Sequence, residues 1–387
     1  MLLSEPMFLK CIFEQIEKIL SKVKGNIKFA GEDQKEFFKV LRSRVDNYFI
    51  ENNISKQGNA QMFIKTILLL TLFLGPLVMM TLVNMSVGLQ MIGWFIMGVA
   101  LAGIGMSVMH DANHGAYSSN DTVNKWMSYS LVLLGGSIFN WKLQHNILHH
   151  TYTNISKYDE DIDDKLILRM SPHTKLKRIQ KYQVFYAFLF YGILTLYWAT
   201  AKDFLQFRRY MKNGVSPLNK KEARGMLFRM TLTKIFYFTY LVFIPIFVFN
   251  VSWPIWITGF LLMHFVAGLT LTVIFQLAHT VEGTTHPIPS ENGTIENSWA
   301  VHQLETTVNF ATHNKLLSYY IGGLNFQVEH HLFPKVCHIH YPMLAPIVRA
   351  TAKEYGITYL ENKYFSDAFM SHVRTLKRFG VATVEFG

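Results

Sequence analysis

Seven histidines gathered in three short clusters are the residues most able to do chemistry here. His110-Asp111-Ala112-Asn113-His114 sets two imidazoles four residues apart, and Gln144-His145-Asn146-Ile147-Leu148-His149-His150 adds three more. Gln327-Val328-Glu329-His330-His331 supplies the last two. On an α-helix, positions i and i+4 share a face one turn apart. His110 therefore pairs with His114, and His145 with His149, leaving His150 on the flank. Imidazoles at that spacing are metal ligands. One ion with three or four imidazoles would leave several histidines unused, so two ions are expected. Imidazole accepts zinc, copper, iron or nickel, and ligand type alone does not choose among them.

The elements that must position these clusters are apolar. The chain has 387 residues, half of them hydrophobic and only 16% charged, which is the composition of an integral membrane protein. Neither Lys nor Arg occurs from Thr66 to Asn124 or from Ile235 to Asn314, so the net charge of +11 lies outside those stretches. The positive-inside rule places the basic parts, both termini included, in the cytoplasm. Contact with anionic headgroups then explains the charge better than nucleic acid does, and a basic face also suits an acidic electron carrier. Cys11 and Cys337 are too few for a disulfide framework or a cysteine-ligated cluster.

Four apolar runs, 66–83, 89–109, 235–249 and 255–277, approach the ~20 residues needed to cross a bilayer and pair as two hairpins with short far-side turns. Trp253 and Trp256 suit the far interfacial belt. The run 127–139, broken by Gly135-Gly136, is expected to lie in the interface or re-enter. The stretch 184–200 is expected as a surface helix, because a fifth crossing would strand the third cluster on the wrong side. Residues 34–52 follow a helical apolar period and are expected as an amphipathic helix. Two more helices are expected near 343–354 and over 366–379, the second started by Ser366 and stopped by Gly380. The division expected is a cytosolic N-terminal segment 1–65, a membrane and catalytic domain 66–334, and a cytosolic helical tail 335–387.

In order and spacing, from about Ser107 to Pro334, the motifs HDANH, HNILHH and QVEHH with the trailing His331-Leu332-Phe333-Pro334 resemble the three histidine boxes of the integral-membrane fatty acid desaturases. The resemblance implies an all-α fold of four transmembrane helices with a cytosolic cap holding two irons. It also implies an O2-dependent oxidoreductase of unsaturated fatty acid biosynthesis that introduces a cis double bond into an acyl chain, carried as acyl-CoA or acyl-lipid. Transferred to this sequence, the ligands are His110, His114, His145, His149, His150, His330 and His331. His279 stands where related desaturases have a further histidine, with His313 or Asn309 as its rivals. Gln327 replaces the histidine that opens the third box in many desaturases and is expected at the metal, directly or through a bound water. This Q-x-x-H-H form resembles the front-end desaturases, which act between an existing double bond and the carboxyl end of a chain such as linoleoyl. Many of those carry a fused haem domain of the cytochrome b type. The residues before Lys65 contain no His-Pro-Gly-Gly and the chain no Cys-x-x-Cys, so electrons are expected from a separate ferredoxin or cytochrome with its reductase.

Two alternatives stand beside this. A di-iron membrane hydroxylase of lipid, alkane or carotenoid substrates would keep the metal site and insert oxygen. A multi-span metal transporter would place its histidines near the midplane. Asp111, Asn113 and Glu329 either orient ligand imidazoles or are solvated. The acidic run Asp159-Glu160-Asp161-Ile162-Asp163-Asp164 lacks the glycine turn and terminal Glu of a calcium loop and is expected as a solvated loop. His264 is expected as a hydrogen-bonded core residue or a tunnel-lining group, and His173, His286, His302, His338, His340 and His372 as surface residues.

Overall fold

The computed structural model describes residues 27–162 and 167–381, and these are predominantly helical. The amphipathic stretch forms α1 (Lys35–Glu51), which buries Phe37, Leu41, Val45 and Phe49 on one stripe. α2 (Ala60–Leu82) starts earlier than its apolar run suggests, because the Asn59 side chain accepts from Gln61 N–H and caps it. Lys65 is thus inside the helix, 2% exposed, with Nζ 3.1 Å from His338 Nε2. α3 (Val87–His114) carries the first box at its C-terminal end and passes through a π-helical turn over Ile104–Val108. After a short α4 (Asp121–Ser128), the segment 127–139 forms no helix long enough to cross a membrane. The second box lies on α5 (138–152), whose stretch Lys142–His149 is wound as a π-helix.

The stretch 184–200 lies within α6 (Arg178–Lys212), a 35-residue helix that is itself apolar enough to cross a membrane. α7 (Lys220–Val248) and α8 (Trp253–His279) follow, so five helices, α2, α3, α6, α7 and α8, qualify as spans by length and composition. Both ends of α6 are tied to polar residues. Near its start, Gln183 accepts from Arg169 N–H at 2.8 Å and donates to Leu376 O at 2.7 Å. Near its end, Gln206 donates to Gln144 Oε1 at 2.8 Å and to Glu160 Oε2 at 2.6 Å.

The spans pack around Trp94, Met97, Trp256, Phe260 and Met263. A second core lies over the box-bearing layer, where the α1 stripe meets α9 (Trp299–Thr306), α10 (Gln327–Leu332) and α11 (Tyr341–Glu354) through Val301, Val328, Leu332, Leu344 and Val348. The last helix, α12, runs Phe365–Val381. Gly380 sits inside it and does not end it. A Cβ there would lie 2.4 Å from Gln180 O, so this glycine is a close contact with the start of α6. Two parallel two-residue bridges pair Lys28–Phe29 with Thr294–Ile295 and Asn309–Phe310 with Glu361–Asn362.

Candidate metal centre

Three helix ends and a π-turn bring the boxes together. α3 delivers His110 and His114, α5 delivers His145, His149 and His150, α8 ends on His279, and α10 supplies Gln327, His330 and His331. Their nitrogens form three overlapping groups in which every donor atom lies within 4.8 Å of the others. The first is His110, His114, His145 and His330; the second is His149, His279 and His331; His150, His330 and His331 bridge the two.

The i,i+4 reasoning holds for His110 and His114, which share the first group. It fails for His145 and His149, which divide between groups. The cause is the π-winding of Lys142–His149, whose i to i+5 hydrogen bonding turns His150 toward His145. His145 Nε2 and His150 Nε2 are 3.3 Å apart, and His145 Nε2 lies 3.1 Å from His110 Nε2.

The hydrogen bonds at the far nitrogens set which lone pairs face inward. His149 Nδ1–H donates to Asp159 Oδ2 at 3.1 Å, and His279 Nδ1–H donates to Thr306 O at 3.2 Å. Gln303 uses its amide nitrogen on His150 O, so its Oε1 accepts from His331 Nδ1–H at 2.7 Å. In all three, Nε2 is left as a lone pair. The His149 Nε2 is buried without a partner, and those of His279 and His331 lie 2.8 and 3.3 Å from the Gln327 amide nitrogen. In the first group, His114 Nε2 and His330 Nε2 are likewise buried without partners, while His330 Nδ1 is 3.2 Å from Tyr341 Oη. The Nε2 lone pairs of His114, His149 and His330 are crowded into a buried space with no donor to meet them, and such lone pairs are what a cation satisfies. The residues present therefore fit bound metal.

Burial, helped by the neighbouring imidazoles, pushes His145, His150, His330 and His331 well below the ordinary histidine range and keeps them neutral, the form that binds metal. His149 differs. Burial pulls it down, but the Asp159 carboxylate, with Asp161 beside it, outweighs burial and the net displacement is upward.

Of the two rivals to His279, His313 is exposed and meets the Tyr364 ring edge to face. Asn309 is buried and serves the third box indirectly, donating to Glu329 Oε2 at 2.7 Å and accepting from Val328 N–H at 2.9 Å. Glu329 is fully buried, pushed up to about 7 by that burial, and also accepts from Tyr359 Oη–H at 2.9 Å. His264 is the core residue expected, between Tyr237 Oη at 2.8 Å and Thr195 Oγ1 at 3.1 Å.

Several surface expectations are overturned. His302, His338 and His372 are buried, and His338 Nδ1–H donates to Asp111 Oδ2 at 2.7 Å. Asp111 is therefore an interior acceptor. The acidic run is not a solvated loop where it is described, since Asp159 is 1% exposed; Asp163 and Asp164 lie outside the described residues. Asp159, Gln303, Thr306 and Tyr341 were not legible as site residues. The available signal was chemical: an imidazole that binds metal through one nitrogen needs an acceptor at the other.

Comparison with known proteins gives a consistent result. The sequence profile described as fatty acid desaturase matches residues 86–363. The chain is similar to the sn-1 linoleoyl-lipid 6-desaturase of Synechocystis sp., 34% identical over 360 residues that cover 92% of this chain and 98% of that protein. It is 33% identical to the sn-1 linoleoyl-lipid 6-desaturase of Arthrospira platensis, over 89% of this chain and 93% of that one. It is 32% identical to the acyl-lipid (8-3)-desaturase of Physcomitrium patens, over 92% of this chain and 74% of the other.

Proposed function

The chain belongs to the fatty acid desaturase family, and from that premise we propose that it is a front-end acyl-lipid desaturase acting on a polyunsaturated chain such as linoleoyl, with two irons, O2 and an external electron donor. The observation that carries this reading is the pair of histidine groups joined through His330 and His331. The proposed ligands are His110, His114, His145 and His330 at one iron and His149, His279 and His331 at the other, with His150 between them and Gln327 beside the second. The substrate class follows the names of the relatives and the Q-x-x-H-H form of the third box.

The irons, when bound, would supply the oxidising power that removes two hydrogens from adjacent methylenes, O2 being reduced to two waters by those two hydrogens together with two electrons from the donor and two protons from solvent. The protein's part is to hold neutral imidazoles with their lone pairs inward and to keep bulk water from the oxidant. Gln303, Thr306 and Asp159 do the first by accepting from Nδ1–H groups. The buried cap core over α10 does the second.

Four crossings, by α2, α3, α7 and α8, with the boxes and both chain ends on the cytoplasmic side, remain our topology. Support comes from α6: both its ends hydrogen-bond to residues of the box-bearing layer, Gln206 to Gln144 of the second box itself and Gln183 to Leu376 of α12. That arrangement suits a helix entering and leaving one face, and α6 passes through a π-helical turn over Trp198–Lys202, the kind of turn at which helices bend. We keep the division into segments 1–65, 66–334 and 335–387, and the donor as a separate ferredoxin or cytochrome of the b type with its reductase.

The test is expression in a host lacking polyunsaturated fatty acids, with labelled oleate and linoleate supplied and the products located by mass spectrometry. A new double bond on the carboxyl side of an existing one is the expected outcome. Hydroxylated chains would give the hydroxylase reading instead, and new bonds confined to the methyl side would remove the front-end assignment.

A further inference from the structure

The turn that follows the second box touches every member of the second histidine group. Asp159 Oδ2 accepts from His149 Nδ1–H. Asn154 Nδ2 donates to the backbone carbonyl of His279 at 3.1 Å. Thr153 Oγ1 lies 2.9 Å from Gln303 Oε1 and 3.3 Å from His331 Nδ1. No hydrogen bond from this turn reaches His110, His114, His145 or His330 among the described residues. We infer that Asp159 is a positioning residue that locks His149 through Nδ1, so that metal binding by His149, His279 and His331 depends on the acidic turn while the other group does not. The inference rests on the two-metal reading above.

The local backbone is arranged for this contact. Asn154 (φ 59°) and Lys157 (φ 72°) both adopt the left-handed conformation, reversing the chain so that residue 159 returns over residue 149. Besides the imidazole, the Asp159 carboxylate accepts from Asn154 N–H and Asp161 N–H, each at 3.0 Å. With three donors around it, this carboxylate is held in one orientation and in turn holds the ring. Asp159 and Asp161 also lie near enough to His149 for the three to form a cation site of their own. That use is disfavoured because Nδ1 and both Asp159 oxygens are already engaged, and Asp161 Oδ1 accepts from Gln144 Nε2 at 2.6 Å. An acceptor on Nδ1 fixes the tautomer, aims Nε2 and raises its basicity, and removing such a partner typically weakens metal binding 10–100-fold.

The experiment uses the full chain in nanodiscs, stripped with chelator and titrated anaerobically with Fe(II), and in parallel with Co(II) for its visible spectrum. Asp159→Asn removes the charge, and Asp159→Ser keeps a short acceptor for the turn's amides but cannot reach the imidazole. The wild type is expected to take up two ions. Each variant should hold one as tightly as wild type and the other roughly 10–100-fold more weakly, with an altered Co(II) spectrum for the weak ion. Asp159→Glu should restore much of the loss. In the His149→Ala background, Asp159→Asn should change nothing further. Two ions bound as tightly as in wild type, equal weakening of both, or a further loss in the His149→Ala background would each overturn the inference. A wild type that takes up no metal would instead sink the functional reading, and the wild-type titration alone reveals that case.

Discussion

His372 should make the fold acid-labile in a way that one substitution can isolate. The residue is fully buried on α12, its Nδ1–H donates to Thr280 O at 2.7 Å, and Nε2 is therefore the lone pair that accepts from Tyr191 Oη–H at 3.0 Å. A proton on Nε2 would set two donors against each other and strand a charge in the interior. Burial pushes this imidazole down to about 4, against an ordinary 6.5. The difference, 6.5 less about 4, corresponds to about 3 kcal/mol at ~1.4 kcal/mol per pH unit. The folded value is depressed, so the folded state binds fewer protons than the unfolded one. Stability is whole above pH 6.5 or so, falls by up to ~1.4 kcal/mol per pH unit below it, and stops falling near pH 4. His372→Gln keeps a donor and an acceptor but does not titrate. It should be the less stable protein at pH 7.5, with the gap to wild type closing by up to about 3 kcal/mol as the pH approaches 4. The assay is the unfolding midpoint of metal-free protein in nanodiscs across that range. Comparing the two proteins cancels the acid sensitivity of His302 and His286, which burial also pushes down to about 4. A gap that stays constant with pH would refute the reasoning.

Three more outcomes are expected. His149→Ala should abolish turnover while leaving the protein in the membrane fraction, and product formation above background in the acyl-chain assay would contradict its place at the metal. A methyl group at Gly259 would sit 1.9 Å from Trp94 Cδ1, so Gly259→Ala must displace the Trp94–Trp256 pair and should cost about 1–3 kcal/mol, read as a lowered melting midpoint. An unchanged midpoint would mean the spans re-pack freely there. Lys234 Nζ lies 2.6 Å from Asp203, whose side chain is fully buried, so Lys234→Met leaves an uncompensated carboxylate and should cost about 3–5 kcal/mol. Adding Asp203→Asn should recover part of that loss in the same melt, and no recovery would contradict the pairing.

Spacing was a good guide to the site wherever the backbone kept its ordinary period. His110 and His114 sit on the α-helical turn Met109–His114 and share one group, as i and i+4 require. His145 and His149 do not, because the backbone beneath them is wound as a π-helix, and a residue count assumes the α-helical period. Apolar length likewise located the helices but not which of them cross. Residues 178–212 are long and apolar enough to span, and only the hydrogen bonds of Gln183 and Gln206 show where the two ends are tied. Asp159 was illegible for another reason: a run of carboxylates beside lysines looks solvated, and nothing local says that one of them turns inward ten residues after its imidazole.

The carboxylates left out of the candidate ligand set have a common logic. Imidazole ligands are neutral, so a site made almost wholly of them would hold the charge of two metal ions with nothing of opposite sign in contact. Three buried carboxylates stand close by. Asp159 accepts from His149, Asp111 sits 3.6 Å from His110 Nδ1 and accepts from His338, and Glu329 lies between Gln327 and His330, held by Asn309 and Tyr359. At that remove Asp159 and Asp111 can offset cationic charge through a low-dielectric interior without entering the coordination sphere, and Glu329, pushed up to about 7 by burial, joins them only when ionised. Their supports come from distant parts of the chain: Lys65 on α2 reaches His338, and Tyr359 follows α11. Lys65 on α2 and Tyr359 after α11 thus bear on the charge balance of the centre as well as on its shape. Substitutions at Lys65 or Tyr359 should accordingly shift metal affinity or reduction potential before they unfold the protein.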